Sequence, residues 1–285
     1  MEQVTVEIIA VGNELLLGDV LDTNSNWLCR RLTGLGAIVR QVSQIPDDEE
    51  AIAEALRMAL ARGTRLVILS GGLGPTEDDR TLQGVARALG LEVHLDPLAL
   101  EWVEAKYQEL ARLGYIAHAE ITPSRAKMAY LPMGAQPLAN GVGAAPGVLL
   151  ELGSREGRKG TAPQAVVCLP GVPDELKDIF QGSLAPFLER LLGHSDYQEW
   201  KATLACGDES LLAPLLRDVS KAHPSVYVKS RARRFAPNQT FEVTLSARGA
   251  PDGPSATELL HAAWQDLERA LHDAAVPVLR LEDGG

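Results

Sequence analysis

The chain has 285 residues, 46% hydrophobic and 23% charged, with a formal net charge of −11. That length admits one large domain or two modest ones, and the composition excludes a disordered or fibrous chain. The acidic balance argues against a general nucleic-acid binder, and no apolar run approaches membrane-spanning length.

The segment Val4 to Val11 reads as a first strand. Asn24 to Leu35 follows as a helix, with Trp27, Leu28, Leu32 and Leu35 along one side and Gly36 as its stop. Ala37 to Ile45 is a second strand. Asp47 starts the next helix, which carries Ile52, Leu56 and Leu60 on one stripe and ends before Gly63. Leu66 to Leu69 is a third strand, followed by a glycine turn, an acidic stretch and a helix from Leu82 to Leu89. Alternation of this kind predicts an α/β fold, with a mostly parallel sheet and helices on both faces. Pro97 to Leu113 is a longer helix, with Trp102, Val103, Leu110 and Leu113 set to pack it on the body. Val148 to Leu152 and Ala165 to Leu169 read as strands. The polar loop between them carries Arg155, Arg158 and Lys159. The turn Pro170-Gly171-Val172-Pro173 leads into one helix from Asp174 to about Leu192.

The short polar stretch Gly193 to Asp196 marks a domain boundary, giving domains at 1–193 and 197–285. Beyond it the order is strand, helix, strand, strand, helix, strand: Glu199 to Cys206, Glu209 to Val219, Ser225 to Lys229, Phe241 to Ala247, Ala256 to Leu271 and Pro277 to Leu281. This is a smaller α+β domain. Glu282 to Gly285 read as a frayed end. Lys229, Arg231, Arg233 and Arg234 are the densest basic cluster and read as a solvated hairpin tip. Cys29, Cys168 and Cys206 are scattered in apolar surroundings, as core thiols of a reducing cytoplasm are, and no secretory signal is visible at Met1-Glu2-Gln3-Val4.

Gly71-Gly72-Leu73-Gly74-Pro75-Thr76-Glu77-Asp78-Asp79-Arg80-Thr81 carries the chemistry. Glycines bring backbone N–H groups close to a ligand, and the helix start behind them suits a phosphate. Two adjacent aspartates would repel a bare phosphate, so a divalent cation bridging carboxylate and phosphate is expected. Asp78 and Asp79 are its ligands, Glu14 is a further ligand or a base that orients water, and Thr76 and Thr81 offer hydroxyls to phosphate oxygens. Oxygen ligands suit Mg²⁺, with Mn²⁺ or Co²⁺ as substitutes. In an open α/β sheet these loops meet at the carboxyl ends of the strands. Ser70 has no Gly-x-Ser-x-Gly context and is not read as a nucleophile.

Gly12-Asn13-Glu14-Leu15-Leu16-Leu17-Gly18 with Thr23-Asn24, the Gly71 to Thr81 loop, Gly143 to Gly147, and Pro170 to Pro173 with Glu175 together resemble the amino-terminal part of the CinA family. Its first domain is similar to the molybdopterin-binding fold of the MoaB/MogA group, which shares the Gly-Gly-x-Gly loop with a following aspartate, here Asp79. That group also has an Ile-Pro-Asp stretch, here Ile45-Pro46-Asp47. The resemblance implies catalytic roles for Asp79, Asp47 and Glu14. It also implies ligand contacts at Gly71, Gly72, Gly74, Asn24, Gly143 and Pro146. The activity implied is hydrolysis of a nucleotide pyrophosphate, ADP-ribose to AMP and ribose 5-phosphate, in a cytoplasmic homodimer. It further implies a KH-type second domain, although that part contains no Gly-x-x-Gly. It does not extend to the amidase part of the longer family members. The alternatives are a molybdopterin-binding adenylyltransferase-type protein or a non-catalytic nucleotide-binding protein.

Overall fold

The computed structural model describes residues 4–153, 163–193, 196–232, 240–249 and 253–283. Arg155, Arg158, Lys159, Arg233 and Arg234, and the chain end at 284–285, lie outside the described residues. The chain divides into two units, with the break at Gly193.

The first unit is organised by strand β1 (Thr5–Val11), every residue of which is buried. A strand buried on both faces is mostly apolar and sits inside a sheet, and its one carboxylate, Glu7, needs a partner. It pairs in parallel with β2 (Ile38–Ile45) on one side and β3 (Leu66–Ser70) on the other. β3 pairs in parallel with β8 (Gln164–Leu169). The sheet is completed by two antiparallel pairings, β8 with β7 (Gly147–Leu152) and β7 with β6 (Gln136–Leu138). The six-strand order is β2-β1-β3-β8-β7-β6. A separate two-stranded ribbon joins β4 (Val93–Leu95) and β5 (Tyr130–Pro132).

Alternate strand residues face opposite sides. Ile9, Val11, Val67, Leu69, Val166 and Cys168 pack with Ile52, Leu56 and Ala59 of α3 (Glu49–Ala61), Leu82 and Val85 of α4 (Thr81–Leu89), and Ala99 and Val103 of α5 (Pro97–Arg112). Val6, Ile8, Leu66, Ile68, Val167 and Leu169 are the other set, equally buried. α2 (Thr23–Gly34) and α7 (Pro173–Gln181) meet through a T-shaped contact of Trp27 with Phe180, ring centroids 5.1 Å apart.

Four expectations change, one being that Glu282 and Asp283, read as part of a frayed end, belong to a strand, β12 (Val278–Asp283). The helix read from Asp174 to Leu192 is two: α7 stops at Gly182, and α8 (Ala185–Leu192) begins with Pro186 in its first turn. Proline lacks the N–H that would have continued the ladder. Leu113 does not pack on the body, being 55% exposed after α5 has ended. The cap of α3 is Asp48, whose Oδ1 accepts from the Glu50 and Ala51 amides, and not Asp47.

The second unit has β9 (Tyr197–Ala205), α9 (Glu209–Ala222), β10 (Val226–Ala232), β11 (Thr240–Arg248), α10 (Ala256–Asp273) and β12 (Val278–Asp283). Its antiparallel sheet has the order β10-β11-β9-β12. This is the split β-α-β arrangement of ferredoxin-like folds. Its core of Trp200, Phe241, Leu245, Leu260 and Trp264 lies between the sheet and its two helices. Lys229 and Arg231 are exposed on β10, an edge strand, where charge deters further strand pairing. Among the described residues, no helix is long and apolar enough to cross a membrane.

Among the described residues of the first unit, one ion pair has a buried carboxylate, met by an arginine that reaches in from the surface. Glu7 of β1, 2% exposed, accepts from Arg62 Nε at 3.0 Å and Nη2 at 2.5 Å, and from the Thr64 hydroxyl at 2.5 Å. Its carboxyl is held below the ordinary value, first by the Arg62 hydrogen bonds and then by Thr64, against the opposing effect of burial. A depressed carboxylate pKa stabilises the fold above the unfolded-state value, and that stability is lost as pH falls through the folded value. Arg62→Ala leaves a buried carboxylate without its cation and is expected to cost about 3 kcal/mol at neutral pH. Urea unfolding as a function of pH should show the gap from wild type closing once the medium is acid enough to protonate Glu7.

Candidate functional site

The carboxyl ends of β1, β3 and β8 lie side by side, since Ser70 registers with both Ala10 and Leu169. Every loop singled out from the sequence leaves from this edge. The Gly71 amide donates to the Leu169 carbonyl at 3.0 Å, and the Gly12 amide to the Ile45 carbonyl at 3.1 Å. Gly71 has φ +106°, and a Cβ there would run into the carbonyl oxygen of Val11. Only glycine permits both that conformation and that approach.

The glycine turn opens on a cleft of about 400 Å³. Gly71 to Pro75 form its floor, and Glu14, Asp47, Asp78, Asp79 and Glu175 bring five carboxylates to its walls. Tyr107, Met128, Ala144 and Ala145 supply an apolar side. The Arg125 guanidinium stacks 4.0 Å from the Tyr107 ring centroid, which fixes that ring. The cleft thus unites Gly71, Gly72, Gly74, Glu14, Asp47, Asp78 and Asp79.

The carboxylates differ in what they already do. Asp79 Oδ2 accepts from the Thr76 amide at 2.9 Å and from the Thr76 hydroxyl at 2.6 Å, closing the acidic turn on itself. Asp47 Oδ2 accepts from the Asn13 amide at 2.8 Å, tying the loop after β2 to the loop after β1. It is free to do so because Asp48 caps α3. Asp78 and Glu14 are exposed. Hydrogen bonding by Thr76 and the Asp78 amide holds the Asp78 carboxyl below its usual range, with Lys127 and Arg80 adding to the effect. Glu175 goes the other way: burial raises its pKa, opposed by the Asn140 amide, which donates to Oε2 at 2.7 Å, and by Lys106.

Five residues expected to touch ligand do not line the cleft. Thr81 is fully buried and its hydroxyl donates to the Gly71 carbonyl at 2.7 Å, bracing the turn from behind. Asn24 donates to the Gly171 carbonyl at 2.7 Å and to the Ser70 hydroxyl at 3.3 Å, linking α2 to two of the strand ends. Gly143 donates to Asn140 Oδ1 at 2.8 Å and leaves room for the Glu175 carboxyl, which a Cβ would meet. Pro146 is buried before β7. Thr76 is exposed but spent on Asp79.

Three contributors were not picked out as site residues. Glu175 stood in the sequence motif without a role. Lys127, at the end of α6 (Pro123–Lys127), donates to the Thr76 carbonyl and sits by Asp79 and Asp78. Burial lowers its pKa, and the two aspartates oppose that effect. No local pattern marks a lysine far along the chain as the cation of this loop. Tyr107 lies on a helix whose apolar stripe reads as core.

Among the described residues, no group of three or more His, Cys, Asp or Glu side chains could hold a metal ion unaided. The oxygen donors of Asp78, Asp79 and Glu14 nevertheless suit Mg²⁺, which is bound through one or two carboxylates, waters and substrate phosphates in preference to an all-protein cage.

Residues 7–190 match the family described as a probable molybdopterin binding domain. The chain belongs to that family. A member from Aeropyrum pernix is 46% identical over 223 residues, 78% of this chain and 77% of its own. One from Pyrobaculum calidifontis is 43% identical over 229 residues, 80% of this chain and 81% of its own. Among solved structures, the CinA protein of unknown function from Thermoplasma acidophilum matches with a TM-score of 0.57 at 34% identity, over 66% of this chain and 99% of that one. This molybdopterin-binding-family chain is therefore CinA-like.

Gly71→Ala should test the turn directly. Forcing a side chain into φ +106° against a backbone carbonyl is expected to cost about 2–3 kcal/mol in denaturant unfolding.

Proposed function

We propose that the first unit binds a phosphorylated ligand of the molybdopterin class in the cleft. The phosphate would rest on the Gly71 to Gly74 backbone and the ring system against Tyr107, Met128 and Ala145. The observation that carries this reading is the conjunction of a glycine floor and an apolar wall, with Lys127 held beside the acidic turn by its bond to the Thr76 carbonyl, in a chain of the molybdopterin-binding family. Lys127 supplies charge to the phosphate, and its partial burial makes that charge count for more than in open water. Asp79 holds the acidic turn closed. Asp78 and Asp79, with phosphate oxygens and water, would hold a divalent ion, which when bound offsets their repulsion of the phosphate and stabilises charge on a phosphoryl group.

Turnover of a phosphoanhydride is a second reading, favoured by the five carboxylates around one floor. It takes one of two forms: adenylyl transfer to molybdopterin, or hydrolysis of ADP-ribose to AMP and ribose 5-phosphate. Glu175, whose raised pKa keeps it protonated to higher pH than an ordinary glutamate, has the character of a proton donor to a leaving group.

Equilibrium titration with molybdopterin and with ADP-ribose, with and without Mg²⁺, separates the readings. Molybdopterin should bind, and Asp79→Asn should weaken it roughly tenfold or more by loosening the turn. AMP released from ADP-ribose in the presence of Mg²⁺, absent in Asp79→Asn, would favour the hydrolase. Neither binding nor AMP would end both readings.

The affinity for an anionic ligand should fall as pH rises through the elevated Glu175 pKa, because deprotonation adds a negative charge to the cleft wall. Glu175→Gln should flatten that dependence in the same titration.

A further inference from the structure

A second cavity, of about 520 Å³, lies between α2 and the start of α7, and no role has been given to it. Its character is opposite to that of the cleft. Arg30, Arg31 and Lys177 line it, and no carboxylate does. In a protein of net charge −11, three cations around one cavity are not the average surface. Arg30 and Arg31 have no ion pair or hydrogen bond among the described residues, so their guanidinium donors are unspent. Lys177 is paired with Asp174 at 3.2 Å, an exposed contact that a competing anion can displace.

The same cavity offers an aromatic surface. Trp27 lines it, and its ring is held by the edge contact with buried Phe180, at an interplanar angle of 81°. The Arg31 guanidinium lies 5.8 Å from the Trp27 ring centroid. The exposed Asn26 amide adds a donor and an acceptor with no partner among the described residues. Guanidinium forks match phosphate oxygens, and an indole takes a planar ring by stacking.

We propose that this cavity is a binding site for a nucleoside phosphate, with Arg30, Arg31 and Lys177 on the phosphates and Trp27 on the base. It does not depend on the reading of the cleft. The two share only the turn at Gly171 to Pro173, where Asn24 ties α2 to the Gly171 carbonyl.

ADP and inorganic diphosphate serve as probes, with calorimetry for affinity and tryptophan fluorescence for location. ADP is expected to bind, to quench fluorescence, and to bind more tightly than diphosphate. Trp27→Phe should abolish the quench, and Arg30→Ala with Lys177→Ala should weaken ADP roughly tenfold or more. Thermal unfolding of the variants checks that the substitutions leave the fold intact. Asp79→Asn should leave ADP binding at this cavity unchanged, so failure of the cleft reading does not touch this one. Three results would overturn the proposal: no saturable ADP binding at millimolar concentration, binding that survives undiminished in the Arg30/Lys177 variant, or equal affinity for ADP and diphosphate.

Discussion

The candidate site depends on one close approach, that of Gly71 to the last carbonyl of β1. β1 and β8 flank β3, and the chain leaving β3 must pass between their ends. It does so with the Gly71 amide bonded to Leu169, its α-carbon against Val11, and its carbonyl taken by the Thr81 hydroxyl. Three strand ends and the first residue of α4 are thereby locked to one residue. The backbone of Gly72 to Gly74 is then presented to the cleft by a rigid support, as a phosphate floor requires. Thr81 illustrates the consequence. A hydroxyl that reads in the sequence as a ligand contact is more valuable beneath the turn, where a buried carbonyl without a donor would cost about 1–3 kcal/mol.

Electrostatics set the second constraint. Five carboxylates around one cleft repel any phosphate and one another, yet the fold keeps them there. Part of the answer is that two are already hydrogen-bonded acceptors: Asp79 to Thr76 and Asp47 to Asn13. Another part is Lys127, drawn into partial burial beside Asp78 and Asp79. Burial raises the pKa of Glu175, and the Asn140 amide donates to its carboxylate. Asp78 and Glu14 are the exposed carboxylates of the cleft.

Much of this was legible in the sequence because it is governed by local rules. The three parallel strands, the glycine turn and the order of elements in the second unit follow from period, composition and punctuation. The failures have a common cause, which is that they are settled at a distance. Asp47 and Asp48 are indistinguishable as caps until Asn13 claims the first. The split between α7 and α8 is announced by Gly182 and Pro186, but a strong apolar stripe over Leu176, Ile179, Phe180, Phe187 and Leu188 conceals it. That β7 runs antiparallel, and that Lys127 and Tyr107 come to the cleft, are facts of topology with no signature in neighbouring residues. The second unit shows the same limit: its strand and helix order was readable, but the strand pairing that makes it a split β-α-β unit was not.

The turn at Pro170 to Pro173 borders both cavities. On one side its backbone completes the acidic cleft, and on the other it closes the cationic cavity. α7 begins there without a side-chain cap, its first turn bearing Asp174 and Glu175. Glu175 goes to the cleft, while Asp174 pairs with Lys177 of the cavity. One helical turn thus sends one acid to each side, and the spacing of a helix places Lys177 below Asp174 on the cavity side. The two pockets thus lie on either side of a single helical turn, each built from its own side chains.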